Sequence, residues 1–410
     1  MNDHLRINII GGGAAGFFAA LAAKEANPQA DVKIWERTAN LLVKVRISGG
    51  GRCNVTHSCF EPRPLTQNYP RGSKELISPF TRFQPRNTVQ WFEARGVTLK
   101  TEGDGRMFPI TDNSETIIQC LLSECRKLGI EILTRQFIES IEKKDSHFIL
   151  KMEKGESFEC DSVILATGSG AHGHELAKAF GHTIQKPIPS LFTFNIPQFQ
   201  LIDLAGIAVQ TATVSISGEK LKQNGPLLIT HWGFSGPAVL KLSAWGALTL
   251  NEKNYQTQIN IDWVSDISKE DMLRSIEALK LNHPQQYFSK NNLFNIPKNL
   301  WKKFVELCGI PEDKKILDIS KKDYSKFCDK LKSDVYQMHG KTTHKEEFVT
   351  CGGVTRSEID FKTMESKLTP GLFFAGELID IDAVTGGFNF QNAWTTGFIA
   401  GVSSVNNASC

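Results

Sequence analysis

Three glycines in the spacing G-x-G-x-x-G, Gly11, Gly13 and Gly16, separate a β-rich run, "RINII" (6–10), from a helix-forming run, "AAGFFAALAAKEAN" (14–27). Each glycine has a task in such a turn. Gly11 permits the tight bend, Gly13 lets the backbone approach a pyrophosphate, and Gly16 lets helix and strand pack closely. Phosphates held there meet the free N–H groups of a helix N-terminus, at Ala14 and Ala15, and the helix dipole favours their charge. A second strand, "DVKIW" (31–35), is closed by Glu36, 25 residues after Gly11, with Arg37 beside it. A carboxylate at that distance suits an adenosine ribose. The start of the chain therefore reads as a βαβ unit that binds a dinucleotide.

The same stretch, "INIIGGGAAGFFAALAA", is apolar enough to imitate a signal peptide. Gly11, Gly12 and Gly13 interrupt it where a signal helix is continuous, Lys24 and Glu25 follow, and no membrane span appears later. A buried strand and helix is the reading, with no membrane partner. Nine cysteines, scattered without a C-x-x-C, exclude a zinc ribbon or a thioredoxin-type dithiol and fit a reducing, cytoplasmic setting. No metal site is expected. With 47 basic against 44 acidic side chains and a net charge of +3, the chain lacks the strong basic excess of nucleic-acid-binding domains. The expectation is a small-molecule substrate and no nucleic acid.

Farther along, residues 37–110 look irregular apart from a helix near 87–95, and "SETIIQCLLSECRKLG" (114–129) has helical periodicity with Ser114 as a cap. Strands follow near 130–138, 147–152 and 156–160, and then "DSVILATGSG" runs from a buried strand into glycines. From about 189 the texture changes to alternating strands, "SLFTFNI", "LAGIAVQTATVSIS" and "QTQINIDWV". Residues 266–332 are helical and lysine-rich, and the β/Gly texture returns near 347. The expected organisation is a discontinuous Rossmann-like α/β domain, 1–188 with 345–410. It carries an inserted β-rich domain, 189–265 with 333–344, and a small helical subdomain, 266–332.

FAD and NAD share the glycine fingerprint, and the far end of the chain separates them. "GLFFAGELID" reads as a strand ending in Gly376–Glu377, and "TGGFNFQNAWTTGFIAG" as a glycine turn entering a helix. A helix N-terminus near Gly386 and Gly387 suits the pyrimidine edge of a flavin, which gains negative charge on reduction.

The blocks "IIGGGAAG", "ISGGGRCNVT", "ILATGSG", "THWGFSGPAVLKLS", "FVTCGGV" and "GLFFAGELIDIDAVTGGFNFQNAWTTGFIAG" occur in the order seen in the HI0933-like (YhiN/BaiN-type) flavoproteins, which the chain resembles over nearly its whole length. That family is similar in fold to the class of two-dinucleotide-fold flavoproteins. The resemblance implies an FAD-binding Rossmann domain with an inserted β-rich domain, and oxidoreductase chemistry on a small organic substrate. It implies that the SGGGRCN loop is part of the flavin cradle: Gly49, Gly50 and Gly51 bring backbone N–H groups close, and Lys44, Ser48, Arg52 and Asn54 supply donors. Arg52 faces either phosphate or flavin oxygens or a structural ion pair. Cys53 sits where disulfide reductases carry a redox thiol, but it has no recognisable partner, so packing is its expected role. By the same matching, Ala166, Thr167, Gly168, Gly353 and Phe388 adjoin the cofactor, Glu377 accepts from ribityl hydroxyls, and Asn389 and Gln391 line the flavin edge. Asp380 and Asp382 are support or solvated loop.

The segment "ATGSGAHGHELAKAFGH" is shorter than in many members, so the resemblance names no substrate. His172 and His174 there, and more so His231 in "THWGFSGPA", are candidates for proton transfer, with His231 the expected catalytic residue. No dedicated second nicotinamide domain is expected, and NAD(P)H is expected at most as a transient electron donor that enters from the substrate side. The rival readings are a pyridine-nucleotide–disulfide-type reductase, which needs a cysteine pair, and a non-catalytic flavin-binding or nucleic-acid-associated module, against which balanced charge counts.

Overall fold

Strand β1, Arg6–Ile10, is buried from Ile7 onward because a parallel strand lies on each side of it: Ser162–Leu165 pairs Ile9 with Ile164, and β2, Asp31–Glu36, pairs Ile9 with Ile34. Strands enclosed in this way read as continuous apolar runs, which is why "RINII" and "SVIL" show no alternation. In this computed structural model, which describes residues 4–153, 155–342 and 349–406, the chain divides into two compact units, Met1–Pro189 with Lys345–Cys410, and Ser190–His344. The domain boundary expected at 344/345 lies outside the described residues.

In the first unit, the sheet runs in the order 359–360, 365–366, 372–374, 162–165, β1, β2, 131–134. The strands from 372–374 across to 131–134 are parallel, and the short pair at the edge is antiparallel. Helix α1, Ala14–Ala26, packs against the C-terminal helix, Phe388–Ser404. Their small residues set the distance. A Cβ at Gly397 would lie 2.4 Å from the carbonyl oxygen of Ala15, and one at Gly401 would lie 2.2 Å from that of Ala19. Phe18 fills the space beside this crossing, with its ring centroid 4.6 Å from that of Trp394.

Residues 37–110, irregular by sequence, hold short elements: helices 62–66, 77–82 and 85–93, and a three-stranded sheet of 56–57, 106–109 and 99–101. Their brevity hides the periodicity on which a sequence reading depends. Ser114 does not cap the helix Glu115–Lys127 through its side chain. Its hydroxyl donates instead to the carbonyl of Arg46 at 2.7 Å, tying that helix to the segment before the SGGG loop. Among the described residues no helix is long and apolar enough to cross a membrane.

The inserted unit is an antiparallel sheet in the order 334–339, 256–262, 208–216, 222–230, 233–235, 193–195, 341–342. Residues 266–332, set apart by sequence as a helical subdomain, share one hydrophobic core with this sheet: Trp301, Phe304 and Phe327 belong to the same cluster as Ile259, Trp263 and Phe234. Ser268 and Ser320 cap two of the helices, accepting from the N–H groups of Asp271 and Asp323 at 3.1 Å. At the centre, the buried Asp334 accepts from the Trp263 indole at 2.9 Å and from the Tyr336 hydroxyl at 2.5 Å, and pairs with Lys330. A buried carboxylate persists only with such partners.

Because the atom that Gly401 would strike is backbone, side-chain repacking cannot relieve a larger residue there. Gly401→Val should lower stability by about 3 kcal/mol, or roughly 5–10 °C in melting temperature for a unit of this size. A thermal melt followed by circular dichroism reads the shift; an unchanged melting temperature would contradict the close crossing.

Candidate functional site

The carboxyl ends of β1, 162–165 and 372–374 bring Gly11, Ala166 and Ala375 to one edge of the sheet, where α/β folds bind ligands. The three fingerprint glycines are not equivalent. Gly11 has φ +118°, donates to the Trp35 carbonyl at 2.8 Å, and leaves no room for a Cβ, which would lie 2.4 Å from the Ala166 oxygen. A Cβ at Gly16 would lie 2.0 Å from the Gly11 oxygen. The fold itself therefore requires these two. Gly13, which caps α1, faces open space, with nothing within 4 Å of its Cβ position. That opening meets the N–H groups of Ala14, Ala15 and Gly16, which have no carbonyl acceptor within the helix. Its chemistry suits an anion. Glu36 holds the rim: its carboxylate accepts from Gly12 N at 3.0 Å and Thr38 N at 2.8 Å, while Arg37 is exposed.

The SGGGRCN loop is a broken helix end. In α2, Val43–Gly51, Ser48 takes an extended ψ of 148°, and Gly49, Gly50 and Gly51 follow at φ +59°, +70° and +85°. Three successive left-handed residues require glycine. Gly50 and Gly51 also face open space, whereas a Cβ at Gly49 would lie 2.9 Å from the Phe108 ring. The side chains around them point to three different places. Arg52 reaches away to Glu102 (2.7 Å) and Asp112 (3.5 Å) and lies 4.0 Å over the Phe108 ring, the ion-pair alternative of the two open by sequence. Asn54 bridges to the C-terminal helix, its amide oxygen accepting from Gly387 N at 3.0 Å and its nitrogen donating to the Thr56 carbonyl at 3.1 Å. Ser48 donates to the Val45 carbonyl at 3.1 Å.

Cys53 is fully buried, and burial pushes its thiol up to about 12, against a smaller opposing effect of its hydrogen bond with Ser48. At neutral pH it is a protonated thiol, and the thiolate is the nucleophile. All described cysteines are free, and Cys59, the nearest in sequence, is only partly buried.

Opposite this loop, Gly376 (φ +71°) donates to Thr396 Oγ1 at 2.9 Å, and a Cβ on it would lie 2.8 Å from that of Ala15. Glu377 accepts from Thr350 N at 3.1 Å and forms an ion pair with Lys44. Gly168 (φ +66°) adjoins the Glu377 carboxylate, 3.9 Å from its Cβ position, and next to it the buried Thr167 Oγ1 has no hydrogen-bond partner among the described residues. The structure thus brings Lys44, Glu377, Gly168 and Thr167 together.

It gives other expected residues different neighbours. Gln391 is buried and saturated, accepting from Thr56 and Thr88 hydroxyls at 2.6 and 2.9 Å and donating to Thr395. Both ends of the Asn389 amide bind the Ala383 backbone. A Cβ at Gly353 would strike the Leu378 oxygen at 2.4 Å, so glycine is needed there for packing. Gly386 (φ +134°) and Gly387 (φ +92°) form the turn into the helix, and Phe388 stacks on His57 with centroids 4.6 Å apart. Asp382 forms a buried ion pair with Arg71, and Asp380, raised in pKa by burial, accepts from Gly352 N at 3.0 Å. His172 bonds the Ile138 carbonyl at 2.7 Å, and His174 is buried with its Nε2 unpartnered among the described residues. Sequence reasoning missed Thr56, His57 and Arg71, whose signal is purely three-dimensional.

His231 lies in the inserted unit, at the tip of a two-residue hairpin in which Thr230 pairs with Gly233. With Trp232 and His339 it lines an open depression of about 540 Å³.

Since a Cβ at Gly13 meets no protein atom, Gly13→Val should keep the fold, with melting temperature changed by less than about 2 °C in the ligand-free protein, yet lose most bound FAD on reconstitution. Full FAD occupancy in the variant would refute the assignment of that opening. Cys53 should resist a thiol-alkylating reagent at neutral pH until the protein is denatured; peptide mapping of the labelled native protein reads this.

Residues 5–403 match the family model described as the HI0933-like protein Rossmann domain. The chain is 30% identical over 417 residues to a ribosomal RNA dihydrouridine synthase of Haemophilus influenzae, covering 98% of this chain and 99% of that protein. It is 26% identical over 406 residues to a 3-dehydro-bile acid delta(4,6)-reductase of Clostridium scindens, covering 97% and 98%. Among solved structures, the open conformation of a flavocytochrome c3 fumarate reductase shares the fold, with a TM-score of 0.52 at 16% identity over 99% of this chain and 79% of that one. The ribosomal RNA named in the first relative overturns the expectation that nucleic acid has no place here. Whole-chain charge was the wrong measure, because it averages over local excess: residues 37–110 hold 12 Lys and Arg against 5 Asp and Glu, and nine of the chain's 14 arginines. Fingerprint, sheet order and full-length match agree, and the chain belongs to the HI0933-like family of Rossmann-fold, FAD-dependent oxidoreductases.

Proposed function

We propose that this protein reduces a uridine of ribosomal RNA to dihydrouridine, using FAD and drawing electrons from NAD(P)H. The observation that carries the reading is the end-to-end similarity to a ribosomal RNA dihydrouridine synthase. The bile-acid relative is compatible with the same chemistry, since both names describe adding hydrogen across a carbon–carbon double bond that a carbonyl group polarises. In uridine that bond is C5=C6, conjugated with the C4 carbonyl; reduction adds a hydride at C6 and a proton at C5.

When bound, FAD supplies the hydride, and NAD(P)H restores it, leaving NAD(P)+. The chain's own residues do the remaining work. The N-terminus of α1 at Gly13–Ala15 holds pyrophosphate, and Glu36, whose two oxygens each accept one backbone N–H, keeps lone pairs for the adenosine ribose. Glu377, steadied by Lys44 and Thr350 N, is the acceptor for ribityl hydroxyls. The N-terminus of the helix Phe388–Ser404 favours negative charge on the flavin ring. The buried, protonated Cys53 carries no electrons in this scheme. His231 is the proposed proton donor for C5, supported by its exposed position on the wall of the depression.

An RNA partner needs cations that are free to meet phosphate. Arg37, Arg63, Lys74, Arg82 and Arg86 are exposed and have no carboxylate partner among the described residues, although Arg82 also donates to the Lys362 carbonyl. The other cations of 37–110 are committed, as Arg52 is to Glu102 and Arg95 to Glu25.

The decisive experiment is mass spectrometry of ribosomal RNA nucleosides from cells with and without the gene, together with reduction of unmodified ribosomal RNA by the FAD-loaded protein and NADPH. Dihydrouridine should depend on the gene and form in vitro. If the protein reduces a 3-oxo-Δ4,6 steroid but leaves RNA unreduced, the reading fails. Replacing Arg63, Arg82 and Arg86 by Gln should weaken RNA binding irrespective of sequence and reduce the slope of log affinity against log salt by about 2; an unchanged slope would remove these residues from the RNA surface.

A further inference from the structure

We propose that the hairpin tip His231–Trp232 and the depression beside it form a stacking site for an unpaired base of RNA. The proposal rests on the RNA reading above and assigns it a surface within the inserted unit.

The first observation is a residue out of place. The strands Lys222–Thr230 and Gly233–Ser235 are joined by two residues, and such loops favour Asn, Asp and Gly. Here the two are His231 and Trp232. Trp232 is 66% exposed, the most exposed of the chain's tryptophans, although tryptophan is highly buried on average.

The second observation is that the backbone beneath it is pinned. Trp232 N donates to Thr230 Oγ1 at 3.3 Å, and its carbonyl accepts from Ile196 N at 2.8 Å. The Thr230 hydroxyl donates to the Gly233 carbonyl at 3.1 Å. Gly233 has φ +143°, and a Cβ on it would lie 2.3 Å from the Phe194 oxygen, so the hairpin lies tight against strand Thr193–Asn195. An exposed ring on a fixed backbone loses little freedom when it binds.

The third observation is the depression itself. Phe199 and the 47%-exposed Ile202 give it apolar surface, while His231 and His339 present imidazole nitrogens. Among the described residues no carboxylate lines it. A base offers a π-face to the indole and polar edges to the imidazoles, and the described lining carries no acid to repel the phosphates attached to it. The inserted unit as a whole, 190–344, carries 19 Lys and Arg against 15 Asp and Glu, which is also compatible with an anionic strand.

The test uses the full-length, FAD-loaded protein and a fluorescently labelled oligouridylate, with affinity read by anisotropy across a salt series. Trp232→Ala should weaken binding about 5- to 100-fold, as loss of one stacked base does, with the salt slope unchanged because no cation is removed. Trp232→Phe, which keeps an aromatic face, should recover most of the affinity. Melting temperature and FAD content should match the parent protein in both variants. Equal affinity of Trp232→Ala and parent overturns the proposal, as does failure of the parent to bind, or a loss that Phe does not rescue. Dihydrouridine formation is scored separately. A parent protein that reduces RNA while Trp232→Ala binds equally well sinks the stacking site and spares the proposed function. A parent that binds through Trp232 but never reduces uridine does the reverse.

Discussion

A Cβ on Gly16 would lie 2.0 Å from the carbonyl oxygen of Gly11, and Cβ atoms on Gly397 and Gly401 would lie 2.4 and 2.2 Å from carbonyl oxygens of α1. These three backbone approaches hold the first helix between the parallel sheet and the C-terminal helix. Each is a contact against main chain, which cannot rotate away as a side chain can. The first and last segments of the Rossmann-type unit are locked together at the edge where Gly11, Ala166 and Ala375 end their strands.

The site follows from a division among glycines. Some are present because the protein needs the space: Gly11, Gly16, Gly353 and Gly387 each abut backbone. Others, Gly13, Gly50 and Gly51, face space that no protein atom fills. Open space alone marks no ligand, since Gly96 and Gly218 also face it; Gly13, Gly50 and Gly51 differ by lying at a helix N-terminus and in a left-handed loop, both rich in N–H donors. The neighbouring side chains serve this arrangement by leaving it. Arg52 is drawn off by Glu102, Cys53 is buried, and Asn54 ties the loop to Gly387 N. Lys44 and Glu377 neutralise each other beside Gly168, so a carboxylate stays close to the opening without an uncompensated charge.

Charge shows why a sum over the whole chain misleads. A net +3 spread evenly would attract little, but the cations of 37–110 divide into two kinds. Most are spent on carboxylates within the fold, and five stay exposed without one among the described residues. Recognition of a polyanion depends on the second kind, and only their surroundings distinguish them from the first.

The β–turn–α–β start, its glycine spacing and the closing Glu36 were legible in the sequence because they depend on neighbours within a few dozen residues. Strand period, helix propensity and the need for glycine at a tight turn are local properties. The family motifs carried the rest of the fold class. The site was legible only in outline. Asn389 and Gln391 look like ligands in the sequence, yet the Ala383 backbone and the Thr56, Thr88 and Thr395 hydroxyls occupy them. Those partners lie up to 335 residues away, and no local pattern announces them. The same holds for the Arg71–Asp382 pair and for the Lys-rich helices that close one core with the inserted sheet. Sequence by itself determined which backbone segments can bend toward a dinucleotide. Tertiary structure decided which polar groups stay free to meet it, because a hydrogen-bonding group already satisfied inside the fold has little left to offer a ligand.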